Sequence, residues 1–337
     1  MARAAPKFWR KRSLIATLLL PFSFVFALLS GLRRLSFRLG LKRSVRIRVP
    51  VIVVGNIAVG GSGKTPAVEW IVSHLRAAGF SPGIVSRGYL GQVRGVELVS
   101  AGGDAAHFGD EPVLLARLTG CPVAVGADRP AAALALLAAW PECDVIVADD
   151  GLQHYRLARD VEVAVVDAST LGNGWLLPAG PLRERMARLR SVDLTLSHGP
   201  LPAALQTLLE GRPVYSMRLE GQMFRSLSAP DEVCDAMALI GRKVHAIAGI
   251  GRPERFFDQL RAMGLEVIEH PFPDHHHFTA ADLSFAPDEP KIVTSKDAVK
   301  CSAFAPANTW EFPVTARIDP GAAEKILEKL RYGRKTA

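Results

Sequence analysis

Hydrophobic positions in this chain fall into short apolar runs separated by helical patterns, and one run frames the rest. Pro50 to Pro66 reads P-V-I-V-V-G-N-I-A-V-G-G-S-G-K-T-P. Val51 to Val54 is a continuous β-branched run, as in a parallel strand buried on both faces. Pro66 suits the first turn of a helix. The pattern predicts strand, glycine-rich loop, helix. Beyond it, a helix over 67–78 is broken by Ser81-Pro82-Gly83 before a strand at Ile84-Val85-Ser86. Strands are predicted over 121–125, 144–148 and 161–166, with an alanine- and leucine-rich helix over 129–140. This alternation predicts an α/β fold of the P-loop NTPase type, a doubly wound, mostly parallel sheet. Ligands of such sheets gather at the carboxyl ends of the strands.

A second unit follows. Residues 213–219 and 309–315 each suggest a strand flanking it, 244–249, 254–263 and 265–269 read as βαβ, Ile292-Val293-Thr294 adds a strand, and 321–332 reads as a helix. The expected organisation is an N-terminal segment over 1–49, a nucleotide-binding core over 50–212 and a smaller α/β lobe over 213–337.

The N-terminal segment has a different pattern. Leu14 to Leu32 is uncharged, bracketed by Arg10-Lys11-Arg12 and Arg33-Arg34, with Arg38, Lys42, Arg43, Arg46 and Arg48 beyond. As a helix it would reach about 28 Å, close to the ~30 Å of a hydrocarbon core. Positive charge on both flanks and Pro21 inside fit a helix lying in the membrane interface better than a straight span. A signal peptide has the same look, but a phosphate loop needs cytosolic nucleotide. A buried core helix is the plainer alternative. Residues 1–68 hold 13 Lys/Arg and no acid, whereas the rest carries 28 basic against 33 acidic residues, so the net charge of +8 is an N-terminal property. Basic residues framing an apolar block point to a membrane surface over residues 10–48 and away from nucleic acid. An apolar content of 49% with 22% charged residues excludes a disordered chain. Cys121, Cys143, Cys234 and Cys301 form no C-x-x-C pair, which argues for reduced thiols and against a disulfide framework or zinc site.

The loop carries the first chemistry. Ala58, Val59, Gly60, Gly61, Ser62 and Gly63 would present backbone N–H groups to an anion. Lys64 would reach the β/γ-phosphates and Thr65 would hold Mg²⁺. Ala58 stands where the G-x-x-x-x-G-K-[ST] pattern has its first glycine. Val145 to Asp150 has the form of a strand whose tip carboxylates, Asp149 and Asp150, serve a metal; a solvated Asp-Asp turn is the plain alternative. Gly109-Asp110-Glu111-Pro112 is a second acidic pair, equally readable as a helix N-cap. Asp274-His275-His276-His277 cannot turn three histidines to one metal, but one histidine positioned by a carboxylate suits a general base. Arg183, Arg185, Arg188 and Arg190 could face an anion or solvent. Thr294-Ser295-Lys296-Asp297 is similar to base-reading loops of some P-loop proteins.

Taken together, G-N-I-A-V-G-G-S-G-K-T-P, S-R-G-Y (86–89), G-D-E-P, D-D-G-L-Q-H (149–154), G-N-G…L-P-A-G-P-L-R-E, G-I-G-R-P-E-R-F-F (249–257), F-P-D-H-H-H-F-T and V-T-S-K-D-A-V-K resemble the tetraacyldisaccharide 4′-kinase family. The family's loop also tolerates a non-glycine at the Ala58 position. The resemblance implies transfer of the ATP γ-phosphate to the 4′-hydroxyl of a tetraacylated glucosamine disaccharide 1-phosphate, with Mg²⁺, in lipid A assembly. It implies a catalytic dyad at Asp110 and His275, with Lys64 assisting. Asp149, Asp150 and Glu111 would serve Mg²⁺ with Thr65, and Tyr89, His154, Asn173 and Arg183 would line the nucleotide or sugar-phosphate region. A monomer at the cytoplasmic face of the inner membrane is the matching expectation. The competing reading is a membrane-docking P-loop switch ATPase or GTPase acting on protein partners, which needs no Asp110 or histidine cluster.

Overall fold

The structure, a computed structural model, describes residues 6–100 and 102–332; the outermost ends of the expected terminal segments, 1–5 and 333–337, lie outside the described residues. The chain opens with α1 (Leu14–Leu18) and α2 (Leu20–Arg38). The core then runs β1 (Val51–Gly55), α3 (Lys64–Ala77), β2 (Pro82–Ser86), β3 (Val96–Leu98), α4 (Ala105–Phe108), α5 (Asp110–Thr119), β4 (Val123–Gly126), α6 (Arg129–Ala139), β5 (Val145–Asp149), β6 (Val161–Asp167), β7 (Leu194–His198), α7 (Ala203–Leu208) and β8 (Val214–Glu220). The second lobe holds β9 (Met223–Ser226), β10 (Val233–Asp235), β11 (Lys243–Ala248), α8 (Pro253–Ala262), β12 (Glu266–Pro271), β13 (Lys291–Thr294), α9 (Ser295–Cys301) and β14 (Thr309–Phe312). The chain returns to the core as β15 (Thr315–Ile318) and α10 (Gly321–Tyr332).

Among the described residues, nine strands form the large sheet in the order β15-β8-β7-β6-β1-β5-β2-β4-β3. Its seven inner strands are parallel, and β15 and β3 close the edges antiparallel. Every residue of β1, β2 and β5 is buried, as continuous apolar runs require. Helices α3, α5 and α10 cover one face and α6 the other. Val54 of β1 sits opposite Asp149 of β5, so the strand tip with its carboxylate lies beside the loop that follows β1. The smaller sheet has the order β10-β9-β14-β13-β11-β12, with a parallel βαβ centre.

One boundary differs from expectation. The strand near residue 213, read as the start of the smaller lobe, is β8 and pairs in parallel with β7; the expected strand over 309–315 divides into β14 in the small sheet and β15 in the large one. Met217, Ala316 and Ile318, with Ala322, Ile326 and Leu330 of α10, join the first core, so burial holds these elements there. By sheet membership the smaller lobe spans 221–314, hung from the large sheet by two short crossings at Gly221-Gln222 and Pro313-Val314.

Pro21 does not interrupt a helix. It occupies the first turn of α2, and the break falls at Leu19, where proline's missing N–H costs nothing. The helix α2 is long and apolar enough to cross a membrane by length and composition alone. Its apolar residues Phe22, Phe24, Val25, Leu28, Leu29 and Leu32 are exposed. One edge is fastened to the core: buried Ser23 donates to the Leu176 carbonyl at 2.9 Å and accepts from the Ala179 N–H at 3.0 Å. Trp9 Nε1 donates to Pro178 O at 2.8 Å in the same 176–182 loop.

Gly109, between α4 and α5, brings two distant loops into register. Its φ is 92°, and a Cβ would lie 2.9 Å from the Tyr89 carbonyl oxygen, a backbone atom with little freedom to yield. Gly109→Ala is therefore expected to lower stability by about 1–3 kcal/mol, read as a drop in Tm, while Gly120→Ala, with open space at its Cβ position but φ of 58°, costs less.

Candidate active site

A cleft of about 1640 Å³ opens between the lobes and runs to α2. Its floor is the loop from β1 to α3. Gly63 caps α3 with φ of 87°. Asn56 braces the loop, its Nδ2 donating to the Gly60 carbonyl and to the Ser62 hydroxyl, each at 3.2 Å. Val59 to Thr65 all line the cleft, which gives an anion the N-terminus of α3 together with an ammonium and a hydroxyl. Ala58, expected among the phosphate-binding positions, does not line it. Its methyl group turns into the core at 1% exposure, and it bridges Leu182 while Val59 N–H donates to Pro181 O at 2.9 Å.

Three carboxylates face the loop. Asp149 is fully buried; its Oδ2 accepts from Ser86 Oγ at 3.2 Å, and its Oδ1 has no hydrogen-bond partner. Burial, then the charges of Glu111 and Asp150, push its pKa up to about 7. Asp150 has φ of 47° and lies 3.5 Å from Lys64 Nζ and 3.0 Å from Arg183 Nη1. Burial disfavours its charge, but Lys64 and Arg183 prevail and hold its pKa down at about 2. Glu111 is pulled below its ordinary value because Lys296 and Lys64 outweigh its burial. An orphaned buried oxygen and unequal, mutually repelling acids fit a divalent cation. Among the described residues no three His, Cys, Asp or Glu side chains converge as a closed metal cage. Mg²⁺ needs none, since it is commonly held by one or two carboxylates plus waters and phosphates.

The other lobe supplies the opposite wall. His275 Nδ1 lies 3.0 Å from Asp110 Oδ2, across 165 positions of sequence. A carboxylate only accepts, so Nδ1 carries the proton; Lys296 Nζ, 3.3 Å from Nε2, only donates, so Nε2 presents its lone pair. His275 N–H donates to the Gly249 carbonyl at 3.0 Å, and the Tyr89 ring meets the imidazole edge-on at 5.4 Å. Burial raises the Asp110 pKa, yet His275, Lys300 and Lys296 together bring it below the usual carboxylate value. Of the neighbouring histidines, His276 instead pairs with Asp282 at 3.3 Å and packs on Phe272, while His277 is exposed. Further ties between the lobes are Arg117 to buried Glu311 at 2.6 Å and Arg255 to buried Asp167.

Tyr89 and Arg183 line the cleft as expected of substrate contacts, but His154 and Asn173 do not. His154 turns away, its pKa lowered to about 4 by burial and by Arg129. Asn173 is consumed within the loop below α2, donating to Ala179 O at 2.8 Å and accepting from Trp175 N–H at 3.0 Å. Lys296-Asp297 is no free base-reading loop. Lys296 points at His275 and Glu111, and fully buried Asp297 accepts from Gly249 N–H at 3.0 Å and Thr294 Oγ1 at 2.7 Å. Lys296 and Lys300 were not assigned from sequence, although their spacing of four places both on one face of α9 behind a strand tip. Arg129 was missed as well; it is buried and donates to the Asp149 carbonyl at 2.8 Å.

Comparison with known proteins follows the same lines. The family model described as LpxK, tetraacyldisaccharide-1-P 4′-kinase, matches residues 15–331. The chain is 69% identical to the tetraacyldisaccharide 4′-kinase of Aromatoleum aromaticum over 100% of both chains. It is 64% identical to that of an Azoarcus species, over 99% of this chain and 97% of the relative. A crystal structure of LpxK from Aquifex aeolicus in complex with ATP superposes with a TM-score of 0.80 at 28% identity, covering 94% of this chain and 100% of that one. A family model spanning residues 15–331 and relatives 64–69% identical over nearly the whole chain show that the chain belongs to the tetraacyldisaccharide 4′-kinase family.

Proposed function

We propose that this cleft transfers the γ-phosphoryl group of ATP to the 4′-hydroxyl of a tetraacylated glucosamine disaccharide 1-phosphate, a step of lipid A biosynthesis. The observation that carries the reading is the Asp110–His275 pair set opposite the phosphate loop. A switch NTPase would share the loop but have no use for a base aimed into the cleft.

Phosphoryl transfer asks the protein for positioning, charge neutralisation and modest base help. Val59 to Gly63 and Lys64 cradle the polyphosphate. Thr65, with Asp149 foremost and Glu111 and Asp150 beside it, would hold Mg²⁺, which when bound neutralises charge on the phosphate oxygens. His275 Nε2 takes the hydroxyl proton as the oxygen–phosphorus bond forms and the bond to the ADP oxygen breaks, ADP leaving with the electron pair. Asp110 keeps Nδ1 protonated and stabilises the imidazolium that results. Tyr89 and Arg183 border the acceptor's side of the cleft. The exposed leucines and phenylalanines of α2, with basic residues over 10–48, rest on the cytoplasmic face of the inner membrane. That wall of the cleft belongs to α2, so the acyl chains stay in the lipid while the sugar enters.

The direct test is incubation with γ-labelled ATP and detergent-dispersed tetraacyldisaccharide 1-phosphate, with label moving to the lipid; hydrolysis without lipid labelling contradicts the reading. His275→Ala is expected to lower kcat by about 10²–10⁴-fold with ATP affinity retained; unchanged turnover removes His275 from the mechanism. A second prediction uses Asp149. Its folded pKa, about 7, lies above its unfolded value of about 4. Its contribution to stability is thus present below about pH 4 and lost as pH rises through about 7. Mg²⁺ binds the ionised form, so the rise in Tm on adding Mg²⁺ to the nucleotide-bound protein should be larger at pH 8 than at pH 6, and Asp149→Asn should abolish that difference. A Mg²⁺ effect independent of pH in the wild type would contradict the assignment.

A further inference from the structure

Lys296 occupies a position that the reaction as described leaves unused. It opens α9 at the tip of β13, in the smaller lobe, and its ammonium lies 3.2 Å from Glu111 Oε1, 3.3 Å from His275 Nε2 and 4.0 Å from Asp274 Oδ1. One of those contacts belongs to the acids around the phosphate loop and another to the lone pair that faces the acceptor. The ammonium therefore stands between an acid beside the glycine-rich loop and the histidine of the other lobe. In the large lobe Lys64 and Arg183 both pair with Asp150. Lys300, the other lysine of α9, is buried against Asp297 at 2.5 Å. Lys296 also cannot keep its present place during turnover, because the acceptor hydroxyl must take the hydrogen-bonding site on Nε2 that Lys296 now fills.

We infer that Lys296 is a catalytic residue, the smaller lobe's cation for phosphoryl transfer, whose ammonium leaves Nε2 when the hydroxyl arrives and contacts the oxygens of the transferring phosphoryl group. A lysine side chain is ordinarily an ammonium near neutral pH, and with the carboxylates of Glu111 and Asp274 beside it it carries a full positive charge to that contact. The acceptor's entry and the cation's move are then one event. Before the acceptor binds, Nε2 is covered and no water can be oriented by it, which guards against wasteful ATP hydrolysis.

This inference rests on the kinase reading, and the wild type serves as the control that separates the two. If the wild type labels no lipid, the kinase reading fails. If it does, Lys296→Met should lower kcat by about 10²–10³-fold, the loss typical of one charge-stabilising donor, with KM for ATP within about threefold. A second readout needs no turnover. By calorimetry, ADP with aluminium fluoride and acceptor lipid should bind Lys296→Met at least about tenfold more weakly than the wild type, while ATP alone binds equally. Lys296→Arg should recover part of both. Turnover within about threefold of the wild type, or equal losses in ATP and aluminium fluoride binding with a lowered Tm, would overturn the inference.

Discussion

The structure depends on one contact between parts of the chain that sequence keeps far apart: the imidazole of His275 on the carboxylate of Asp110 at 3.0 Å. Asp110 starts a helix of the large lobe, and His275 sits in a tight turn of the small one with φ of 58°. In the proposed mechanism neither group acts alone. A histidine without its carboxylate has no fixed tautomer, and a carboxylate without the histidine has no base to orient. The remainder of the fold brings these two together. Two short crossings hang the small lobe from the large sheet, and flanking ion pairs, Arg117 with Glu311 and Arg255 with Asp167, hold its angle.

The same cleft collects charge that would be costly without ligands. Asp149 is buried with an unpartnered oxygen, and its neighbours repel its ionised form. Asp150 is neutralised by Lys64 and Arg183, and Glu111 by Lys296. Isolated charges at such depth would cost several kcal/mol each, so the site is arranged as a set of charge pairs. The glycine-rich loop is also joined to the 176–182 loop beneath α2, through Ala58 opposite Leu182 and Ser23 against Leu176 and Ala179. The exposed apolar face of α2 and the glycine-rich loop are thereby mechanically linked.

Much of this was legible locally. An apolar run, a glycine-rich loop and a proline in the next turn report strand, loop and helix within seventeen residues, because each signal is a near-neighbour effect. The partnership of β8 and β15 was not legible: an edge strand's residues do not say which sheet will satisfy its backbone. Nor did His154 and Asn173 announce that they turn away from the cleft, since a polar residue beside a motif reads alike whether it meets ligand or the protein's own loop. Asp110 and His275 came together through resemblance to a family, not through spacing. The lysines of α9 were visible as a pair four apart behind a strand, but their destination on the other lobe was not.

The central claim is that two lobes share one base. A double-mutant cycle measures it most directly, with kcat determined for Asp110→Ala, His275→Ala and the double variant. Residues acting as one unit are strongly non-additive, so the account predicts that the double variant is about as slow as His275→Ala alone. Losses that simply multiply would show that Asp110 and His275 work independently and would contradict it.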